Sequence, residues 1–131
     1  MEENKKLISV ALDSQKKAYV PYSGFKVGAA VLTECGEIYG GCNIENASYT
    51  PTICAERVAI FKDIFDGCKK IKKIAVVGKE NEFTYPCGVC RQVIREFCTE
   101  DCELIIIKNE TEFKILKFSE ILPYSFGPED L

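Results

Sequence analysis

Four residues could do chemistry together here: Cys54 with Glu56 two positions on, and Cys87 and Cys90 within Pro86-Cys87-Gly88-Val89-Cys90-Arg91-Gln92. Zinc in a catalytic site takes three protein ligands and leaves the fourth tetrahedral position to water, and three thiolates meet that need. Cys87 and Cys90, three apart at the start of a helix, share one face and reach a single ion. Cys54 opens a second helix aimed at the same point. Helix N-termini carry partial positive charge and lower thiol pKa values, which favours the thiolates that bind metal.

Three thiolates on a divalent cation leave the site net negative, which makes bound water less acidic than neutral imidazole ligands would. An arginine can offset that charge, because a guanidinium donates to sulfur and stays charged when partly buried. Arg57, directly after Glu56, and Arg91, directly after Cys90, are the candidates; the alternative is that they are surface residues on first helical turns. The chain has no histidine, so His ligands, Ser-His triads and imidazole bases are excluded. The proton carrier beside the metal is then a carboxylate, and Glu56 is the one next to a ligand. Hydrolytic deamination asks one group to take a proton from water and pass protons to a ring nitrogen and the departing amine. Cys-x-Glu followed by Pro-Cys-x-x-Cys is the all-cysteine form of the zinc deaminase signature.

The elements that must position these residues follow from periodicity. Residues 3–18 carry Leu7, Ile8, Ala11, Leu12 and Ala18 among Lys and Glu, an amphipathic helix. Val20-Pro21-Tyr22-Ser23-Gly24 is turn chemistry, and Phe25 to Leu32 reads as a buried strand. Small residues at Gly28, Ala29 and Ala30 mean that either a helix packs closely there or a ligand approaches. A turn at Cys35-Gly36 returns the chain through 37–44, and a loop over 45–51 leads to the first cysteine helix, 53–66. That helix is apolar nearly all round, as one buried in the middle of a layer is. Strands over 72–78, 104–107 and 113–118, the last an edge strand, follow, with the second cysteine helix between the first two and a final helical turn at 119–122. The order αββαβαββ predicts a three-layer α/β/α sandwich around one mixed five-stranded sheet.

At 131 residues the chain predicts a single domain, 1–131, with a real core. Its net charge of −3 and scattered lysine pairs give no electrostatic footprint for nucleic acid, so a small substrate is expected. No signal peptide or membrane-length apolar run is present, which predicts a cytoplasmic protein without membrane partners. In that compartment the eight cysteines read as metal ligands and buried thiols before disulfides. Cys35, Cys42, Cys68, Cys98 and Cys102 are then free thiols; no further ligand set completes a second metal site around Cys98 and Cys102.

Five blocks taken together go further: residues 22–30, 41–49, 54–57, 86–92 and 122–126. In this order and spacing they resemble the small homotetrameric cytidine deaminases over nearly the whole chain. The resemblance implies hydrolysis of cytidine or deoxycytidine to uridine or deoxyuridine, with one zinc ion per subunit. It implies that Phe25 packs on the pyrimidine, Asn43 and Glu45 hold the ribose hydroxyls, and Ala55 offers backbone contacts to the base. Glu56 would shuttle protons and Arg57 would balance the thiolates. Tyr49 and Phe126 would reach a neighbouring subunit's site, so that the tetramer completes the active centre. Ser125 and Lys26 are the departures from the pattern. From the residues alone, Asn43 and Glu45 could instead cap a helix or order a loop. Phe25 could be plain core, and Phe126 a staple or an oligomer contact.

The alternatives are a blasticidin-S-type deaminase, which shares the cysteine pattern, and a non-catalytic zinc module. A structural site is closed by four protein ligands, and no fourth lies at a compatible spacing. A polynucleotide deaminase would need a basic, aromatic-bearing groove that this acidic sequence lacks.

Overall fold

In β1, Gly28–Thr33, every residue is buried, with Ala29 and Val31 in one core cluster and Ala30 and Leu32 in another. A strand buried on both faces needs a layer on each side. The computed structural model, which describes residues 2–131, supplies them. Its single sheet runs β2-β1-β3-β4-β5, with β2 at Ile38–Cys42, β3 at Ile71–Val77, β4 at Cys98–Ile107 and β5 at Phe113–Lys117. β3 and β4 are parallel and all other pairs antiparallel, the mixed sheet expected.

α1, Glu2–Gln15, packs Leu7, Ile8 and Ala11 against Ala30, Leu32, Ala75, Val77, Ile105 and Ile107 on one face. α2, Ala55–Asp66, and α3, Gly88–Phe97, cover the other with Ala55, Ala59, Ile60 and Ile94. A short α4 spans Phe118–Ile121. The small residues of β1 are explained by a helix: a Cβ on Gly28 would stand 2.2 Å from the Ala11 carbonyl oxygen. Gly41 does the same for α2, where a Cβ would stand 2.5 Å from the Ala55 oxygen and 2.6 Å from the Ala59 nitrogen. That close approach sets the depth at which α2 presents its first turn.

Three expectations need correcting. Cys35 and Cys68 are joined in a disulfide, with 6.2 Å between their Cα atoms. The β1–β2 turn and the α2–β3 connection lie side by side, tied by Glu34 N–H donating to the Lys70 carbonyl at 2.9 Å, so two thiols distant in sequence meet. Closing a 33-residue separation is worth about 3–4 kcal/mol on the chain-entropy account. Second, α2 is not buried all round: Phe61 is 43% and Phe65 90% exposed, because the sheet covers one face of the helix and none of the described residues covers these two rings. Third, β4 starts at Cys98, directly after α3, six residues before the apolar run that announced it.

Asp63 on α2 is fully buried, and both of its carboxylate oxygens lack a hydrogen-bond partner among the described residues. Burial, and then the charges of Glu37 and Asp66, raise its pKa above the ordinary 3.8. A carboxyl with a raised folded pKa contributes stability that is present below its unfolded value and lost as pH rises through the folded one. Asp63→Ala should therefore raise Tm at about pH 8, with a gain that shrinks as pH falls towards the ordinary carboxylate range, in thermal unfolding of the zinc-loaded protein. A variant less stable than wild type at the higher pH would overturn this account.

Candidate active site

Cys54 and Cys87 are the N-cap residues of α2 and α3, both in extended backbone and neither using its side chain as a cap. Their carbonyls accept the first helical bonds, from Val58 and Arg91 N–H at 3.2 and 2.9 Å, which leaves both sulfurs free to point between the helices. Cys90, buried one turn into α3, completes the group. All three sulfurs lie within 4.8 Å of one another, and Cys54 and Cys87 are 3.8 Å apart. Tetrahedral sulfur ligands about 2.3 Å from zinc stand about 3.8 Å apart, so the donors fit the ion in number, kind and spacing.

The electrostatics favour the same use. Hydrogen bonding from Cys90 and from Arg57 brings the Cys54 thiol down to about 5, against the cost of burial. The bond to Cys54, burial and the charge of Glu56 push Cys90 the other way, so that in the metal-free site Cys54 is the thiolate and Cys90 holds the proton. An Arg57 terminal nitrogen stands 3.3 Å from the Cys54 sulfur, in position to offset thiolate charge. Arg91 does something else: it donates to the Pro86 and Ile121 carbonyls, each at 2.8 Å, bracing the approach to α3.

Glu56 sits in the first turn of α2 and is only 4% exposed. Burial is the main cause of a pKa pushed up to about 7, with the Cys54 charge adding to it and its own backbone N–H and Arg57 opposing. Ala55, fully buried, lies between Cys54 and Glu56.

Asn43 and Glu45 are engaged with the segment that carries Phe25. The Asn43 side-chain oxygen accepts the Val27 N–H at 2.9 Å, and its amide donates to the Phe25 carbonyl at 2.8 Å. Glu45 accepts from the N–H groups of Tyr22 and Ser23, at 3.0 and 3.1 Å, and from the Ser23 hydroxyl. Those bonds, the hydroxyl first, hold its carboxyl below the usual range. Ser23 is thus a site residue that the sequence reading did not single out, although it lies inside one of the five blocks. Phe25 is 41% exposed and so is not plain core.

Tyr49, with a positive φ of 55° and 72% exposure, stands edge-on to Tyr22 over a hollow of about 350 Å³ that Ser23 and Glu45 also line. Phe126 is 56% exposed. Its carbonyl accepts from Gln92, while Arg95 holds Ser125 and Glu129, so α3 pins the tail beside the second cysteine helix. Gln92 and Arg95 were not singled out either; Gln92 closes the Pro86–Gln92 block, but nothing in the spacing marks Arg95. Within one chain neither Tyr49 nor Phe126 is brought to the cysteine cluster by any contact described above.

The family described as the cytidine and deoxycytidylate deaminase zinc-binding region matches residues 1–106. This chain belongs to that family. The cytidine deaminase of Sporosarcina psychrophila is 45% identical over 126 residues, 96% of this chain and 93% of that protein. The cytidine deaminase of Halalkalibacterium halodurans is 43% identical over 125 residues, 95% of each. A crystal structure of the Burkholderia pseudomallei cytidine deaminase superposes with a TM-score of 0.86 at 40% identity, covering 92% of this chain and 97% of that one. Family membership and the sulfur geometry agree on one zinc ion per subunit.

Metal analysis of single variants tests the ligand set. Cys54→Ala, Cys87→Ala and Cys90→Ala should each lose most bound zinc, while Cys98→Ala and Cys102→Ala keep about one ion per chain. Zinc lost from Cys98→Ala but retained by Cys87→Ala would reverse the assignment.

Proposed function

We propose that this chain is a single deaminase domain, 1–131, that hydrolyses cytidine and deoxycytidine to uridine and deoxyuridine, releasing ammonia. One observation carries the reading: a buried carboxyl, Glu56, is set two residues from one of three converging thiolates in a chain of this family. A zinc ion held there acts as a Lewis acid that makes water acidic near neutral pH. Cys54, Cys87 and Cys90 hold it, and Arg57 offsets the thiolate charge. Glu56 takes and returns protons at the reacting ring. Phe25 meets the pyrimidine, the Ala55 backbone orients it, and Asn43 and Glu45 read the ribose hydroxyls.

The same reading makes the protein a cytoplasmic homotetramer with shared sites. Support comes from the exposed rings of Phe61, Phe65, Tyr49 and Phe126, which one chain leaves uncovered, and from the pinned tail. Among the described residues no helix is long and apolar enough to cross a membrane.

Incubating the purified protein with cytidine and following the ultraviolet change to uridine, beside cytosine, dCMP and blasticidin S, tests the activity. Turnover of blasticidin S alone, or of nothing, would refute it. Light scattering of the intact protein gives the assembly, and deleting residues 123–131 should cut activity while leaving zinc bound. Full activity in a strictly monomeric preparation would contradict shared sites.

A further inference from the structure

Two thiols outside the metal site are brought together by an irregularity in the sheet. Ile71 of β3 pairs with Cys98 of β4, and Lys73 pairs with Glu103. Two steps along β3 cover about 7 Å, and β4 fits five steps into the same span, which extended backbone cannot do. The β4 chain between the two pairings therefore leaves the ladder as a bulge, and Cys98 and Cys102 stand at the two ends of this irregular stretch, brought towards each other by the compressed register. The Cys102 thiol itself lies 3.9 Å from the Glu103 carbonyl oxygen, and each of the two thiols moves the other's pKa, Cys98 downward and Cys102 upward. Their surroundings differ. Cys102 is 1% exposed, whereas Cys98 is half-buried and lines a cavity of about 360 Å³ between the end of α3 and the tail residues Leu122 to Ser125.

We propose that Cys98 and Cys102 form a redox-active dithiol, a modification site at which hydrogen peroxide attacks Cys98 and Cys102 resolves the product as an intrachain disulfide. In the first step the Cys98 thiolate takes one peroxide oxygen. An S–O bond forms, the O–O bond breaks, hydroxide leaves, and Cys98 becomes a sulfenic acid. In the second the Cys102 sulfur attacks the Cys98 sulfur. The S–S bond forms, the S–O bond breaks, and water departs with the Cys102 proton. Peroxide is reduced to two molecules of water once the hydroxide takes up the proton that Cys98 gave to solvent.

The chemistry of each thiol suits its part. The hydrogen bond from Cys102 and then the nearby positive charges of Arg95 and Lys70, against the cost of burial, bring Cys98 down to about 7. An accessible thiol near that value is the nucleophile that peroxides select. The bond to Cys98, burial, and the acidic neighbours Asp101 and Glu103 keep Cys102 protonated, so it waits for the sulfenic acid. The neighbouring turn already holds one closed disulfide, Cys35–Cys68, and Cys54, Cys87 and Cys90 serve the metal, so Cys98 and Cys102 are the pair left to report on oxidation.

Trypsin isolates the site, because cleavage after Arg95 and Lys108 gives a peptide, 96–108, whose only cysteines are Cys98 and Cys102. The zinc-loaded protein is treated with hydrogen peroxide in the presence of free cysteine as an internal standard, then alkylated and digested. The peptide should lose two hydrogens and resist alkylation before most of the free cysteine is consumed, and a thiol reductant should restore it. Cys102→Ser should stop at the sulfenic acid, captured at Cys98 by a 1,3-dione. Cys98→Ser should leave Cys102 alkylatable, with unchanged zinc content showing that the variant is folded. The proposal is overturned if peptide 96–108 stays alkylatable after the free cysteine is oxidised. It is equally overturned if Cys98 links to a cysteine other than Cys102, or if Cys102 oxidises at the wild-type rate in Cys98→Ser.

Discussion

Glu56→Gln should retain about one zinc ion per chain and bind nucleoside, yet lose on the order of 10²–10⁴ in kcat, more if one group makes several transfers. The substitution keeps the size of the side chain and a hydrogen-bonding carbonyl, and none of the three sulfurs changes. What it removes is the ability to take up and release a proton. No histidine exists to take over that role, and burial has moved the Glu56 carboxyl up to about 7, where both protonation states are populated near neutral pH. A group that must accept a proton and then give it back works best with its pKa near the operating pH. The measurements are zinc content, nucleoside affinity by titration, and kcat. A variant that bound zinc and nucleoside normally and still turned over at near the wild-type rate would sink the assignment. Loss of zinc together with activity would show a structural role instead.

What was legible in the sequence was local or periodic. Cys87 and Cys90 sit one turn apart and Cys54 and Glu56 open a helix, and such spacings translate directly into geometry. The element order was legible for the same reason, because short, continuous runs rich in β-branched residues, such as Ile74 to Val77 and Leu104 to Ile107, read as strands buried on both faces. Features made by two distant segments were not legible. Which turns lie side by side decides the Cys35–Cys68 disulfide, and a register shift against β3 decides that Cys98 and Cys102 meet. The nearly all-round apolar pattern of α2 was read as burial in the middle of a layer, which one chain does not provide. It did not say that one chain covers only part, and Phe65 at 90% exposure is the remainder.

Asn43 and Glu45 are the case where two readings left open by the sequence turn out to be compatible. Their bonds to residues 22–27 show that they order the segment bearing Phe25. Ordering a loop and reading a sugar differ in what they do to different substrates. If the pair also reads the ribose hydroxyls, a substrate without the sugar leaves polar groups unmatched, and sites of this kind reject such analogues by on the order of 10⁴ in kcat/KM. Free cytosine should therefore be a very poor substrate. CMP should be poor as well, because Glu45, held ionised by Ser23 and the N–H groups of Ser23 and Tyr22, repels a phosphate dianion. The lysines beside Phe25 do not cancel that repulsion: Lys16, Lys26, Lys79 and Lys108 line a hollow with Phe25 that Glu45 does not line, and three of them are paired with Asp13, Glu82 and Glu112. The deciding comparison is kcat/KM for cytidine, cytosine and CMP in wild type and in Glu45→Gln. A sugar-reading Glu45 predicts that the variant loses rate on cytidine and little on cytosine, so the gap between them narrows, while CMP improves relative to cytidine. A Glu45 that only orders the loop predicts equal losses on cytidine and cytosine, because a displaced Phe25 harms both. Equal losses, or wild-type turnover of cytosine or CMP as fast as cytidine, would remove the sugar-reading role while leaving the metal site and Glu56 untouched.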